Sequence, residues 1–139
     1  MGNDKSGGQR ALLLLIADDN RTARAGLRAL LESVAWDGND FEIVEADDGA
    51  QAVEIIEKRK PDLVLIDVHM PRLNGIEATR IIKTRWPTIR VIVLTMYRIH
   101  QADALAAGAD AFLLKGSPPD RLLDAIFQGL YPPKEQTDD

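Results

Sequence analysis

Residues 63–67 read Leu-Val-Leu-Ile-Asp, an unbroken apolar run that ends on a carboxylate. Such a run is typical of a strand buried on both faces, the kind found in parallel sheets. The pattern recurs at residues 11–19, Ala-Leu-Leu-Leu-Leu-Ile-Ala-Asp-Asp, and at residues 91–95, Val-Ile-Val-Leu-Thr. The three runs therefore predict three buried strands, each followed directly by polar residues.

Segments with helical periodicity separate these runs. Two more strands are predicted at residues 41–46 and 111–114, the second followed by Lys115. Apolar residues at helical spacing predict helices over residues 20–33, 49–58, 75–85, 101–107 and 118–130. Five strands alternating with five helices indicate an α/β fold, in which a parallel sheet is covered by helices on both faces.

Composition excludes several classes of protein. The 139 residues suit one domain, expected at residues 11–130 between a flexible leader (1–10) and a tail or linker (131–139). Seventeen Lys+Arg against 22 Asp+Glu give a net charge of −5, so we expect no direct nucleic-acid binding. The absence of cysteine excludes thiol chemistry and disulfides. No run approaches the ~20 apolar residues of a membrane span, so we expect a cytoplasmic location and no membrane partner.

The polar residues at the strand ends are the candidate site. Asp18, Asp19, Asp67, Thr95 and Lys115 each follow a predicted strand, and the carboxyl ends of parallel strands share one edge of a sheet. Oxygen ligands suit Mg²⁺, and a carboxylate can act as a nucleophile that forms an aspartyl phosphate. The set therefore predicts a site that holds a phosphoryl group on a carboxylate.

Each of these residues also has a structural interpretation. Asp18, Asp19 or Asn20 is suited to cap the following helix, and a lysine such as Lys115 is ordinarily a solvated surface residue. Of the two histidines, His69 is expected to be a partly exposed loop residue beside Asp67. The joint placement of the polar residues at successive strand ends favours the functional interpretation.

The chain resembles the receiver domain of two-component response regulators. The resemblance spans roughly residues 11–130 and rests on four motifs: Ile-Ala-Asp-Asp-Asn at 16–20, Leu-Ile-Asp-Val-His-Met-Pro-Arg-Leu-Asn-Gly at 65–75, Val-Leu-Thr-Met at 93–96 and Gly-Ala-Asp-Ala-Phe-Leu-Leu-Lys at 108–115. It implies a flavodoxin-like (CheY-like) (βα)5 sandwich with strand order 2-1-3-4-5.

The resemblance also implies roles for individual residues. Asp67 takes the place of the phosphoacceptor, Lys115 that of the phosphate-binding lysine, and Thr95 and Phe112 those of the switch pair. A Mg²⁺ cofactor is held in such domains by the residues that correspond to Asp18, Asp19 and Asp67, and by the backbone carbonyl of His69.

Segments 27–31, 94–97 and 111–117 look most like the LuxR/NarL branch of the family. The implied partners are a sensor histidine kinase as phosphodonor and a second copy of the chain in a phosphorylation-dependent homodimer. The implied output is transcription through a DNA-binding domain absent from this chain. The spacing from Thr95 to Lys115 is about two residues short for the family, which predicts a shortened fourth helix or preceding loop.

Two other functions remain open at this point. A small Mg²⁺-dependent phosphohydrolase would also form an aspartyl intermediate, but such enzymes usually place an acid where this chain has His69. A degenerate receiver that only binds partners would not need the complete set of acidic, hydroxyl and lysine residues. We expect no enzyme activity beyond self-catalysed phosphorylation and dephosphorylation of Asp67.

Overall fold

The computed structural model describes residues 11–34 and 40–130. In that part of the chain strands and helices alternate in the predicted order. They are β1 (Leu12–Ala17), α1 (Arg21–Glu32), β2 (Phe41–Ala46), α2 (Gly49–Arg59), β3 (Leu63–Ile66), α3 (Gly75–Arg85), β4 (Arg90–Thr95), a 3-10 turn (Arg98–His100), α4 (Gln101–Ala106), β5 (Ala111–Leu114) and α5 (Pro119–Leu130). The predicted leader (1–10) and tail (131–139) lie outside the described residues.

The strands form one parallel sheet in the order β2-β1-β3-β4-β5, which confirms the predicted fold class. The element boundaries agree with the predicted ones or differ from them by one residue. Helix α1 begins at Arg21 because Asn20 is its N-cap, and α5 begins at Pro119 instead of residue 118. Helix α4 ends at Ala106, one residue before the predicted end.

Apolar side chains fill both faces of the sheet. Helices α2, α3 and α4 pack on one face, and α1 and α5 pack on the other. The first layer includes the buried residues Ala52, Ile56, Val64, Ile66, Ala78, Ile82, Val91, Val93 and Ala104. The second includes Leu14, Ile16, Leu31, Leu63, Leu65, Ile92, Leu122 and Ile126. Among residues 11–34 and 40–130, none of the helices combines the length and the apolar character that a membrane span requires.

The fourth helix is short. Helix α4 has six residues, whereas the other four helices have 11 or 12. Gly108 follows it with φ +106°, a left-handed conformation that glycine adopts without the steric cost of a side chain. The shortness agrees with the reduced spacing between Thr95 and Lys115.

Close packing at Gly75 supports the loop after β3. The N–H of Gly75, the first residue of α3, donates to the carbonyl of Val68 over 2.8 Å. A Cβ at this position would collide with the carbonyl oxygen of Asp67. The start of α3 therefore lies directly against the backbone of the residue that follows β3.

We predict opposite effects for two glycine-to-alanine substitutions. Gly75→Ala should destabilise the fold by about 1–3 kcal/mol, because the new methyl group overpacks a rigid backbone contact. Gly26→Ala is the control, since a Cβ there meets nothing within 4 Å and alanine favours the helix by about 0.5–1 kcal/mol. Urea denaturation measures both. Wild-type stability in Gly75→Ala would contradict the close approach.

Candidate functional site

The register of the sheet places two aspartates side by side. Ala17 of β1 lies opposite Ile66 of β3, so Asp18 and Asp67 are the next residues on adjacent strands. The N–H of Asp67 continues the ladder by donating to the carbonyl of Ala17 over 2.9 Å. Because β2 lies on the other side of β1, this is the point at which the strand order reverses, where open α/β sheets bind ligands.

Lys115 reaches both aspartates from the far side of β4. Its Nζ lies 2.6 Å from Oδ2 of Asp18 and 3.3 Å from Oδ2 of Asp67. Burial opposes its positive charge, but the hydrogen bond to Asp18 and the charges of both aspartates outweigh burial and raise the pKa of Lys115. Lys115 is therefore a fixed ammonium in the site, and not a solvated surface lysine.

Three carboxylates converge at this sheet edge. Carboxylate oxygens of Asp18, Asp19 and Asp67 all lie within 4.8 Å of one another. Asp18 and Asp67 are buried, with 2% and 9% of their surfaces exposed, and Asp19 is exposed at the mouth. The three carboxylates and the single ammonium of Lys115 together leave an excess of two negative charges. An oxygen-only donor set with that excess fits a hard divalent cation such as Mg²⁺.

Backbone hydrogen bonds orient the two buried carboxylates. Oδ1 of Asp18 accepts from the N–H of Asn20, and Oδ1 of Asp67 accepts from the N–H of Val68, each over 2.8 Å. The capping role expected for this region belongs to Asn20, whose side chain accepts from the N–H of Ala23 over 2.9 Å. In both aspartates the second oxygen, Oδ2, faces Lys115.

Thr95 ends β4 with a buried hydroxyl. The residue has 0% of its surface exposed, and its Oγ1 has no hydrogen-bond partner among the described residues. A buried hydroxyl without a partner costs about 1–3 kcal/mol. Half-buried Phe112 packs with the apolar layer on the face of the sheet covered by α2, α3 and α4, and it lies opposite Val93 in the β4–β5 pair. The two predicted switch residues thus occupy neighbouring strands.

An ion pair that the sequence did not reveal holds the loop after β3. Arg72, which has φ +69°, donates from Nη2 to Oδ2 of Asp48 over 2.6 Å. Asp48 is buried at the start of α2, where the N–H of Gln51, helped by Arg72, lowers the pKa of Asp48 despite its burial. The Asp-Gly sequence at 48–49 indicates a helix cap, but no local pattern identifies Arg72 as its partner.

The side chain of His69 points away from the aspartates. It is exposed, and its Nε2 lies 3.0 Å from Nε2 of His100 at the end of the 3-10 turn. The expected loop position beside Asp67 is correct, but the contact with His100 was not predicted. A contribution of His69 to a metal site at the three aspartates would therefore come from its backbone carbonyl.

Comparison with known proteins identifies the family. The model of the response regulator receiver domain matches residues 14–127. The chain belongs to the response regulator receiver domain family. It is 35% identical over 121 residues to the transcriptional regulatory protein DegU of Brevibacillus brevis, covering 85% of this chain and 50% of DegU. It is 44% identical over 112 residues to protein-glutamate methylesterase/protein-glutamine glutaminase 4 of Myxococcus xanthus, covering 78% of this receiver and 31% of that protein. The chain therefore spans about half the length of DegU and 31% of the length of the methylesterase.

Solved receiver structures are also similar. A DNA-binding response regulator of the LuxR family from Staphylococcus aureus matches with TM-score 0.75 and 28% identity, over 85% of this receiver and 98% of that chain. The receiver domain of the sensor histidine kinase PA1611 from Pseudomonas aeruginosa matches with TM-score 0.76 and 25% identity, over 87% and 98%. The PA1611 structure has a magnesium ion coordinated in its active-site cleft.

The unpartnered hydroxyl of Thr95 leads to a stability prediction. Thr95→Val should make the receiver about 1 kcal/mol more stable, because it replaces a buried hydroxyl that lacks a partner with a methyl group. Thr95→Ser is the matched control and should be less stable than wild type, since it keeps the hydroxyl and leaves a small void. Thermal and urea unfolding without phosphodonor measure both. A Thr95→Val protein less stable than wild type would show that the hydroxyl is satisfied.

Proposed function

We propose that this receiver is a phosphorylation-controlled signalling switch that accepts a phosphoryl group on Asp67. The observation that carries the proposal is the position of the Asp67 carboxylate, which lies beside Asp18 on the neighbouring strand and 3.3 Å from the ammonium of Lys115. A nucleophilic carboxylate next to a fixed cation provides both the attacking atom and a counter-charge for the incoming group.

The phosphodonor in this proposal is the phosphohistidine of a sensor histidine kinase. An oxygen of Asp67 forms the new P–O bond while the bond between phosphorus and the imidazole nitrogen breaks, and the released imidazole takes up a proton from solvent. Lys115 offsets the negative charge of the transferred group. Because Lys115 remains protonated, this counter-charge is constant through neutral pH.

The residues that would hold Mg²⁺ are Asp18, Asp19 and Asp67, together with the backbone carbonyl of His69. The ion would supply two positive charges, which match the excess of negative charge at the strand ends. Asp19 is the exposed member of the cluster. Asp18 also positions Lys115 in the absence of a phosphoryl group, because its Oδ2 lies 2.6 Å from the Lys115 Nζ.

Thr95 and Phe112 form the proposed switch. The buried Thr95 hydroxyl lacks a partner, and a phosphoryl oxygen on Asp67 would provide an acceptor for it. A movement of Thr95 toward that oxygen would change the space available to Phe112, which is half-buried on the next strand. Such a change of packing would alter the surface formed by α4 and β5.

The output we propose is transcription, through a DNA-binding domain joined to residues 11–130 by the tail at 131–139. DegU and the LuxR-family neighbour support it by their names, and the similar Myxococcus methylesterase shows that receivers of this kind also occur in enzymes. We further propose a cytoplasmic location, a phosphorylation-dependent homodimer, and no catalysis by the receiver beyond turnover of its own phosphoryl group. The alternative function, a small Mg²⁺-dependent phosphohydrolase, is disfavoured. Such enzymes usually have an acid two residues after the nucleophile, and this chain has the exposed His69 there.

Labelling with acetyl phosphate tests the proposal. With Mg²⁺ present, intact-mass spectrometry should show one added phosphoryl group per wild-type chain. Asp67→Asn should show none, because an amide is a poor nucleophile of the same shape. Asp124→Asn, an exposed aspartate on α5, is the matched control and should label as wild type does. Labelling of Asp67→Asn at the wild-type rate, or equal labelling after chelation of Mg²⁺, would contradict the proposed acceptor or cofactor.

A further inference from the structure

The only two histidines of the chain meet beside the loop that follows Asp67. His69 lies in the loop after β3, and His100 lies 31 residues later at the end of the 3-10 turn before α4. Their Nε2 atoms are 3.0 Å apart, and the ring of Tyr97 stands edge-on to both, with centroid distances of 5.7 and 6.3 Å. Two separate loops thus present imidazole nitrogens to one point.

The ring geometry indicates that the two imidazoles converge on that point. A linear hydrogen bond between two Nε2 atoms would place the ring centroids roughly 5.3 Å apart, but here they are 4.8 Å apart with the planes inclined by 70°. Two nitrogens bound to one tetrahedral Zn²⁺ at about 2.0–2.1 Å are roughly 3.3–3.4 Å apart. The two Nε2 atoms, now 3.0 Å apart, would therefore need to separate by only a few tenths of an ångström to bind a single ion.

The surroundings add negative charge without blocking access. Glu77, Arg80 and Asp103 line the same open groove as the two histidines. Arg80 pairs with Glu77 over 3.8 Å, so Asp103 contributes the excess negative charge. His69 is exposed and His100 half-buried, so an ion can approach from solvent with water completing its coordination. Imidazole nitrogens suit Zn²⁺, whereas Mg²⁺ prefers oxygen ligands. The histidine pair therefore differs in chemistry from the three aspartates nearby.

We propose that His69 and His100 bind one Zn²⁺ ion through their Nε2 atoms. The ion would join the loop that follows Asp67 to the turn that follows Thr95, since His69 is two residues beyond the first and His100 five beyond the second. Those are the two segments next to the acceptor and the switch hydroxyl. Bound Zn²⁺ would restrain both, and we expect it to slow labelling of Asp67 by acetyl phosphate at least threefold. The site itself does not depend on the proposed phosphorylation.

Calorimetric titration with Zn²⁺ tests the site in the full chain without an affinity tag. Excess Mg²⁺ is present so that the aspartates are not available to Zn²⁺. We expect one Zn²⁺ per wild-type chain, and binding at least tenfold weaker in both His69→Gln and His100→Gln. Asp19→Asn and Tyr97→Phe are the controls and should bind as wild type does. The ring resonances of both histidines should shift together on addition of Zn²⁺ in NMR spectra.

Three results would overturn the proposal. Wild type that binds no Zn²⁺ would mean that the histidines share only a hydrogen bond. Unchanged binding in both glutamine variants would place the ion elsewhere, and loss of binding in Asp19→Asn would assign it to the aspartates. Zn²⁺ binding is measured without phosphodonor, so a failure here is distinguishable from a failure of phosphorylation at Asp67.

Discussion

The ammonium of Lys115 between Asp18 and Asp67 is the contact on which the site depends. Hydrogen bonds along β1 and β3 force the two carboxylates into adjacent positions, and both are almost completely buried. Like charges about 4 Å apart repel by roughly 4 kcal/mol near a protein surface. Lys115 offsets that repulsion over contacts of 2.6 and 3.3 Å, although the exposed Asp19 leaves the cluster with excess negative charge. The site is thus held together by a cation that only partly neutralises it.

The sheet provides the rigidity that such an arrangement needs. Each charged residue follows a strand of four to six residues whose side chains pack on helices from both faces. The loop after β3, which contains the backbone nearest Asp67, is held by the close contact at Gly75 and by the ion pair of Arg72 with Asp48. The backbone at Asp67 is therefore fixed. Thr95, at the end of β4, has a buried hydroxyl without a hydrogen-bond partner among the described residues, and this hydroxyl is available to a new ligand.

Local sequence patterns were sufficient for the elements and for most of the site. Apolar runs that end on Asp, Thr or Lys identify the strands and their polar ends, because hydrophobic periodicity is a property of neighbouring residues. The strand order came from the family resemblance, since nothing local states which strands pair. The Asp48–Arg72 ion pair and the meeting of His69 with His100 were not predicted, because residues 24 and 31 positions apart come together only through loop geometry. The missing partner of Thr95 likewise depends on packing that no periodicity describes.

The Mg²⁺ affinity of a Lys115→Met variant tests most directly whether this lysine and a divalent cation neutralise the same carboxylates. Titration calorimetry at physiological ionic strength compares it with wild type and with Lys58→Met, whose exposed lysine on α2 pairs with Glu54. Circular dichroism verifies that each variant is folded. Our account predicts that Lys115→Met binds Mg²⁺ at least about tenfold more tightly, because the ammonium that competes for the carboxylates is gone. A tenfold gain in affinity corresponds to about 1.4 kcal/mol, which is modest beside the interaction energy of charges this close. Equal or weaker binding by Lys115→Met would contradict it.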